Sequence, residues 1–361
     1  MSDIRSWIGL SMVQELGPVS GRKLLASFGS PENIFKAETD ALLLVKGTTR
    51  ERVDNIRNFS QWGEVEKYLR VIERKGISVV PCQDVRYPEA LKNIEDAPLV
   101  LYMKGEYHPD DRFAIGVVGS RNHTPYGESV TQKIAGELSS AGFTIVSGLA
   151  RGIDTLSHRS ALAAGGRTIA VLGSGLDVHY PAENRGLSER IVSSGCVISE
   201  FLPGTMPNKE NFPRRNRLIS GLSLGILVVE ATDNSGSLIT AGYALEQNKE
   251  VFSVPGNITS RNSEGTNKLI KQGAKIVLGT DDIIEELAPV LKGYISTGRK
   301  ESLQLEGEES RLCTLLSREP KHVDLISRES GMSINQLLGL LLSLELKGIV
   351  KQAGGKRFYI A

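Results

Sequence analysis

The chain has 361 residues, with 43 Lys and Arg against 42 Asp and Glu and a formal net charge of +1. That length predicts two or three domains, one with a substantial core, and excludes a small scaffold held by staples. Its three cysteines, Cys82, Cys196 and Cys313, are far apart, with no CxxC pair that could build a zinc site, so they read as buried thiols of a reducing compartment.

No apolar run approaches the roughly 20 residues that span a bilayer, so no membrane partner is expected. The first residues, MSDIRSWIGLSMVQELG, lack the features of a signal peptide, and a cytoplasmic location is the default.

Residues 1–80 read as short helices with polar joints. Leu10, Val13 and Leu16 space an apolar face, Gly17 and Pro18 break it, and Leu24, Leu25 and Phe28 resume it. The LGPVSG break resembles a helix-hairpin-helix turn, whose amides can touch a phosphate.

From Phe113 the pattern changes to apolar strands alternating with glycine-rich turns and helices. FAIGVVGSR leads to a helix from Pro125, FTIVSGLARG to one from about Ile153, TIAVLGSGL to one near Glu183, and LGILVVEA to one from Ser237; EVFSVPG and KIVLG follow. Continuous Val/Ile/Leu runs belong to strands covered on both faces, so residues 81–292 are predicted to form a Rossmann-like α/β domain, doubly wound around a largely parallel sheet. Residues 293–309 turn polar and read as a linker. Residues 310–361 then follow the order helix, helix, helix, hairpin, with the hairpin turning at Gly354 and Gly355, as in a winged helix. There is no internal repeat and no low-complexity tract.

Several strands of the central domain end in small or hydroxyl residues just before a helix. These are Gly119, Ser120 and Arg121; Ser147 and Gly148; Gly173 to Gly175; and Ser235, Gly236 and Ser237. In an open parallel sheet such ends share one edge, where helix N-termini offer unpaired N–H groups to anions. Neither the G-x-G-x-x-G fingerprint nor a Walker sequence is present, so no bound NAD or ATP is expected and no cofactor is assigned.

Against a net charge of +1, the stretch KENFPRRNR (209–217) stands out. Pro213 suits a helix's first turn, Leu218, Ile219 and Leu222 supply its apolar face, and Arg214 and Arg217 share another, with Lys209 and Phe212 in the entering loop. Arginines hold phosphates by paired donors, and an exposed aromatic lets a base stack for about 1 to 3 kcal/mol. A cationic groove with a stacking ring suits single-stranded nucleic acid. In the structural alternative Phe212 is a hydrophobic staple, and Arg215 and Arg217 pair with acids such as Glu200 and Glu230. Both readings stand for Arg215, Asn216 and Arg217, while binding is favoured for Lys209 and Phe212.

A catalytic reading would gather Glu200, Glu230 and Asp154 into a carboxylate cluster. All three have arginines or hydroxyls within reach, the five histidines form no ligand pair, and no serine is framed as G-x-S-x-G, so no catalytic and no metal-binding residue is assigned.

The segments GSRNHTPYG, SGLARGIDTLSH, GSGLDVHYPAENRGL, ISEFLPGTMP, FPRRNRLISGLS, VVEATDNSGSLITAGYALE and VPGNITSRNSEGTNKLIKQGA, in this order, resemble the DNA-processing protein A family (DprA, also called Smf). The resemblance covers roughly Arg112 to Glu286. Less specifically, the helical start resembles the sterile-alpha-motif-like or helix-hairpin-helix domain of longer members, and the tail resembles their winged-helix domain.

It implies a dimeric, non-catalytic protein that binds single-stranded DNA and helps load the RecA recombinase during natural transformation. By that resemblance the strand-binding residues are Gly119, Ser120 and Arg121, then Lys209 and Phe212, and the triplet Arg215, Asn216 and Arg217. Arg214, Ser235, Gly236 and Ser237 join them from the reading of charge and strand ends.

An enzyme alternative comes from nucleotide phosphoribohydrolases of a related fold. Their P-G-G-x-G-T-x-x-E pattern falls on NSGSLITAGYALE, with Thr240 where an acid is wanted and Glu246 too far along. In the tail, the third helix offers Asn335 and Gln336 but few cations and the acid Glu345, so duplex reading is not favoured over a protein contact; Lys351, Lys356 and Arg357 in the wing remain candidates for a backbone contact.

Overall fold

A computed structural model describes residues 3–297, 307–317, 319–346 and 349–360. Six helices come first: α1 (Ile4–Met12), α2 (Pro18–Phe28), α3 (Pro31–Lys36), α4 (Thr39–Leu43), α5 (Arg50–Arg57) and α6 (Trp62–Arg74). Their starts follow sequence chemistry. Asp3, Ser30 and Thr49 cap α1, α3 and α5 by accepting a backbone N–H, and Pro18 and Pro31 occupy first-turn positions where no donor is lost. At the LGPVSG turn, Arg52 ties two connections together by donating to the carbonyls of Glu15 (2.9 Å) and Gly47 (2.7 Å).

Next along the chain come β1 (Ser78–Pro81), α7 (Glu89–Lys92), β2 (Val100–Gly105), β3 (Ala114–Val118), α8 (Pro125–Ser140), β4 (Thr144–Ser147), α9 (Ile153–Ala163), β5 (Thr168–Leu172), α10 (Arg185–Ser194) and β6 (Gly195–Ser199). They are followed by α11 (Asn211–Leu222), β7 (Gly225–Val228), α12 (Gly236–Glu246), β8 (Glu250–Ser253), α13 (Glu264–Lys271), β9 (Lys275–Ile276) and α14 (Thr280–Thr297).

Among the described residues one nine-stranded sheet runs in the order β1-β2-β6-β5-β4-β3-β7-β8-β9. From β6 to β9 all pairs are parallel, as the doubly covered Val/Ile/Leu runs predict. The antiparallel edge pair β1 and β2 was not legible as sheet, and β1 starts at Ser78, inside the stretch expected to be helical.

The chain winds from β3 outward to β6, then α11 crosses back beneath the sheet to set β7 beside β3. The switch point therefore lies between β3 and β7, where open α/β sheets bind ligands at the carboxyl ends of the strands. Leu218, Ile219 and Leu222 of α11 and Ala241 and Ala244 of α12 pack on one face with Val118, Val146, Val171 and Val228. On the other face α8, α9 and α14 cover Ile115, Val117, Ile145 and Leu227. The N-terminal helices share a continuous core with Val79, Tyr102 and Val197, so they are joined to the sheet rather than set apart from it. Cys196 is buried, while Cys82 and Cys313 are only half-buried.

Helix α14 continues to Thr297, so residues 293–297 of the expected linker are helical; residues 298–306 lie outside the described ones. The tail consists of α15 (Glu308–Leu315), β10 (Lys321–His322), α16 (Val323–Ser330), α17 (Ile334–Leu346), β11 (Val350–Ala353) and β12 (Arg357–Ile360). Its small antiparallel sheet has the order β10-β12-β11, and Leu312, Val323, Ile326, Leu337, Leu341, Leu344, Val350 and Phe358 form a separate winged-helix core.

Candidate nucleic-acid interface

At the switch point β3 runs into Gly119, Ser120 and Arg121. The turn is held by the Ser120 hydroxyl, which accepts from the Asn122 N–H (3.2 Å) and donates to the Asn122 carbonyl (2.9 Å). The start of α9 seats against this turn through Gly152. That residue has a φ of +76°, and a Cβ there would lie 2.2 Å from the Ser120 carbonyl oxygen, so both the backbone and the space require glycine. Arg121 is exposed and, among the described residues, has no acid within ion-pair distance.

Phe212 lies in the first turn of α11 and not in a loop as expected. The helix starts at Asn211, whose side-chain amide donates to the Met206 carbonyl (3.2 Å) and turns the incoming chain. The half-buried ring rests on the β5 turn at Gly173, where an added Cβ would stand 3.0 Å from the ring's Cδ1. The Arg121 guanidinium lies 5.4 Å from the ring centroid and that of Arg215 lies 5.9 Å away, both within cation–π range. Lys209 is exposed just upstream, also with no acidic partner among the described residues.

A second aromatic completes the group. The Tyr180 ring is centred 5.8 Å from Phe212, tilted by 43°, and the side chain is 45% exposed. Sequence reading passed over Tyr180 because no cation flanks it in the chain; the only signal was an aromatic at a glycine-rich strand end.

Beneath this rim the arginines of the RNR triplet point inward. Arg215 is 4% exposed and donates to the carbonyls of Gly148 (2.5 Å) and Val171, bridging the ends of β4 and β5. Burial pulls its pKa down to about 10, against the opposing charge of Asp154. Burial likewise raises the pKa of Asp154, although the Arg215 charge and the Ala150 N–H favour its ionised form. His158, buried behind them with Nδ1 2.7 Å from the Thr168 hydroxyl, is held down to about 3 by burial and by the Arg215 charge.

Asn216 donates to the Gly236 carbonyl (3.3 Å), tying α11 to the start of α12. Arg217 pairs with Glu200 (2.5 Å) and Asp96 (3.1 Å). Of the partners expected for the arginines, Glu200 takes Arg217 and, at 3.7 Å, the exposed Arg214, whereas Arg215 spends its donors on the Gly148 and Val171 carbonyls and on the Asn216 side-chain oxygen, with the Asp154 charge nearby, and not on Glu230. The three arginines thus divide: Arg214 is at the surface, while Arg215 and Arg217 are built into the floor. Ser235, Gly236 and Ser237 form the start of α12, with the Ser235 hydroxyl accepting from the Ser237 N–H (3.3 Å).

The carboxylates of the enzyme alternative are dispersed in use. Glu230 accepts from the Thr124 hydroxyl (2.5 Å) and N–H (3.0 Å), Glu200 faces arginines, and Glu246 lies at the far end of α12. Among the described residues no group of three His, Cys, Asp or Glu is placed to hold a metal ion.

The family described as DNA recombination-mediator protein A matches residues 78–288, and the DprA winged helix domain matches residues 299–356. The Smf protein of Synechocystis is 36% identical over 98% of this chain and 97% of its own length. The crystal structure of DNA processing protein A from Streptococcus pneumoniae covers 79% of this chain and 99% of that one, at a TM-score of 0.68 and 35% identity. A structure of DNA processing protein A from Helicobacter pylori, described for its single-stranded DNA binding mode, covers 59% of this chain and 96% of that one at a TM-score of 0.53 and 30% identity.

Proposed function

Because the chain belongs to the DNA recombination-mediator protein A (DprA) family, we propose that it binds single-stranded DNA along the strand-end edge of its sheet. The observation that carries this is Phe212, set between Gly173 and Tyr180 and flanked by Arg121 and Lys209, exposed cations without an acidic partner among the described residues. A base stacks on the two rings whatever its identity, Arg121, Lys209 and Arg214 meet phosphates, and the N–H groups at Ser120 and Gly236, with the Ser235 and Ser237 hydroxyls, add uncharged donors. Arg215, Asn216 and Arg217 act by holding the rim in place from below.

The protein acts by binding, without a catalytic step. The family's description as a recombination mediator supports a further role, in which a homodimer in the cytoplasm protects incoming strands and helps RecA assemble on them. That role is tested by the rate of RecA nucleation on a coated strand with and without the protein.

The binding reading is tested by fluorescence anisotropy of a labelled homopolymeric single strand. Phe212→Ala is expected to keep its fold and lose roughly ten-fold, about 1.4 kcal/mol, in line with one lost stack. Equal binding by wild type and Phe212→Ala would refute it, as would equal affinity for blunt duplex.

A further inference from the structure

In winged-helix DNA binders the third helix lies in the major groove, with its outward face free and polar. Here that helix, α17, has the sequence INQLLGLLLSLEL, apolar on more than one face and without a cation. A helix apolar all round is a buried one, so α17 needs two partners. The first is its own domain, where Leu337, Leu341 and Leu344 are fully buried.

The second partner is the central domain. Leu342 packs against the cluster that holds Ile134 and Leu138 of α8 and Ile283, Leu287 and Leu291 of α14. Leu338 faces Ile284, Ala288 and Leu291 across a cavity of about 110 Å³. Between them is Gly339, buried in mid-helix, where glycine costs about 1 kcal/mol relative to alanine. A Cβ at Gly339 would stand 2.7 Å from the Ala141 Cα and 3.1 Å from the Ser140 carbonyl oxygen. The absent side chain lets α17 seat directly on the backbone at the end of α8. The face that would enter a groove is therefore occupied by protein, and among the described residues of the helix Ile334, Asn335 and Gln336 at the first turn stay exposed.

We propose that α17 is a docking helix whose partner is the α8–α14 face of the same chain, and that the winged-helix unit serves as a fixed cap on that face and not as a duplex reader. This does not depend on how the strand-end edge is used.

Hydrogen exchange on the full chain tests it with two variants, one from each side: Gly339→Arg in α17 and Ala141→Arg in the core. Both are expected to speed exchange several-fold in the second half of α8 and in α14. Amides around Leu312 and Ile326 should keep their protection, showing that the winged-helix core stays folded, and duplex affinity should stay within about two-fold. Unchanged protection of α8 and α14 in Ala141→Arg would overturn the proposal. So would a ten-fold gain in duplex affinity, which would make α17 a masked reader, or protection that depends on protein concentration, which would put the partner face on a second copy.

Discussion

The strand-end edge of the central sheet and the third helix of the winged-helix unit are the two places where these folds carry nucleic acid, and they are furnished in opposite ways. The edge exposes Arg121, Lys209 and Tyr180 around Phe212 and leaves the cations unpaired among the described residues. The helix shows leucines on two sides and seats Gly339 on the core. Position in a fold says where a ligand could lie; free charge and free ring surface decide whether one does. The same contrast recurs inside the edge, between an exposed rim and a floor of buried arginines.

The sharpest break of that second contrast is Arg215→Ala. It strips the donor from the buried Gly148 and Val171 carbonyls and removes the charge that favours the ionised form of Asp154, so a loss of about 1 to 3 kcal/mol in urea unfolding is expected. Adding Asp154→Asn should recover part of it. If Arg215→Ala instead unfolded at the wild-type urea concentration and lost strand affinity, Arg215 would belong to the rim.

The next effect comes from His158. In the fold it stays neutral down to about 3, whereas in the unfolded chain it takes up a proton near 6.5. Its share of stability is complete above pH 6.5 and is lost as the pH falls from 6.5 towards 3, at up to about 1.4 kcal/mol per pH unit. Urea midpoints measured at pH 7.5 and 5.5 should drop for wild type and drop less for His158→Gln. Equal drops would mean that the floor admits a charged imidazole.

At the rim the effects are smaller and concern binding alone. Lys209→Ala and Arg121→Ala should each reduce the salt dependence of single-strand affinity by about 0.7 log units per log unit, the share of one phosphate, without moving the unfolding midpoint. An unchanged slope in both would remove these cations from the interface.

Sequence legibility follows the same division. The strand-then-glycine-turn order of FAIGVVGSR and FTIVSGLARG predicts helices from Pro125 and about Ile153, where α8 and α9 do start, so the turn at Gly119–Arg121 is legible as part of a sheet edge from sequence alone. The direction of Arg215 and Arg217 could not be read, because it depends on α11 being covered by the sheet and by α12, so that its polar positions also face inward. Tyr180 was invisible as a partner of Phe212 since 32 positions separate them and only the sheet order brings β5 and α11 together. The β1–β2 pair was missed because Ser78–Pro81 is too short to declare a period.

The smallest expected effect concerns the wing. Lys351, Lys356 and Arg357 are exposed on the β11–β12 hairpin, and by charge alone they invite a role in strand binding. Their domain, however, docks at Ser140 and Ala141, whereas α8 starts at the strand-end edge. Sixteen helical residues at about 1.5 Å each separate the two by roughly 24 Å, more than two Debye lengths at physiological salt. Replacing all three by alanine should leave the affinity for a short strand that covers only the Phe212–Tyr180 group within about two-fold. A larger loss on that short strand would mean that the wing reaches the edge, which the seating of α17 on α8 forbids; a loss confined to longer strands would instead extend the path of the DNA along α8 towards the cap.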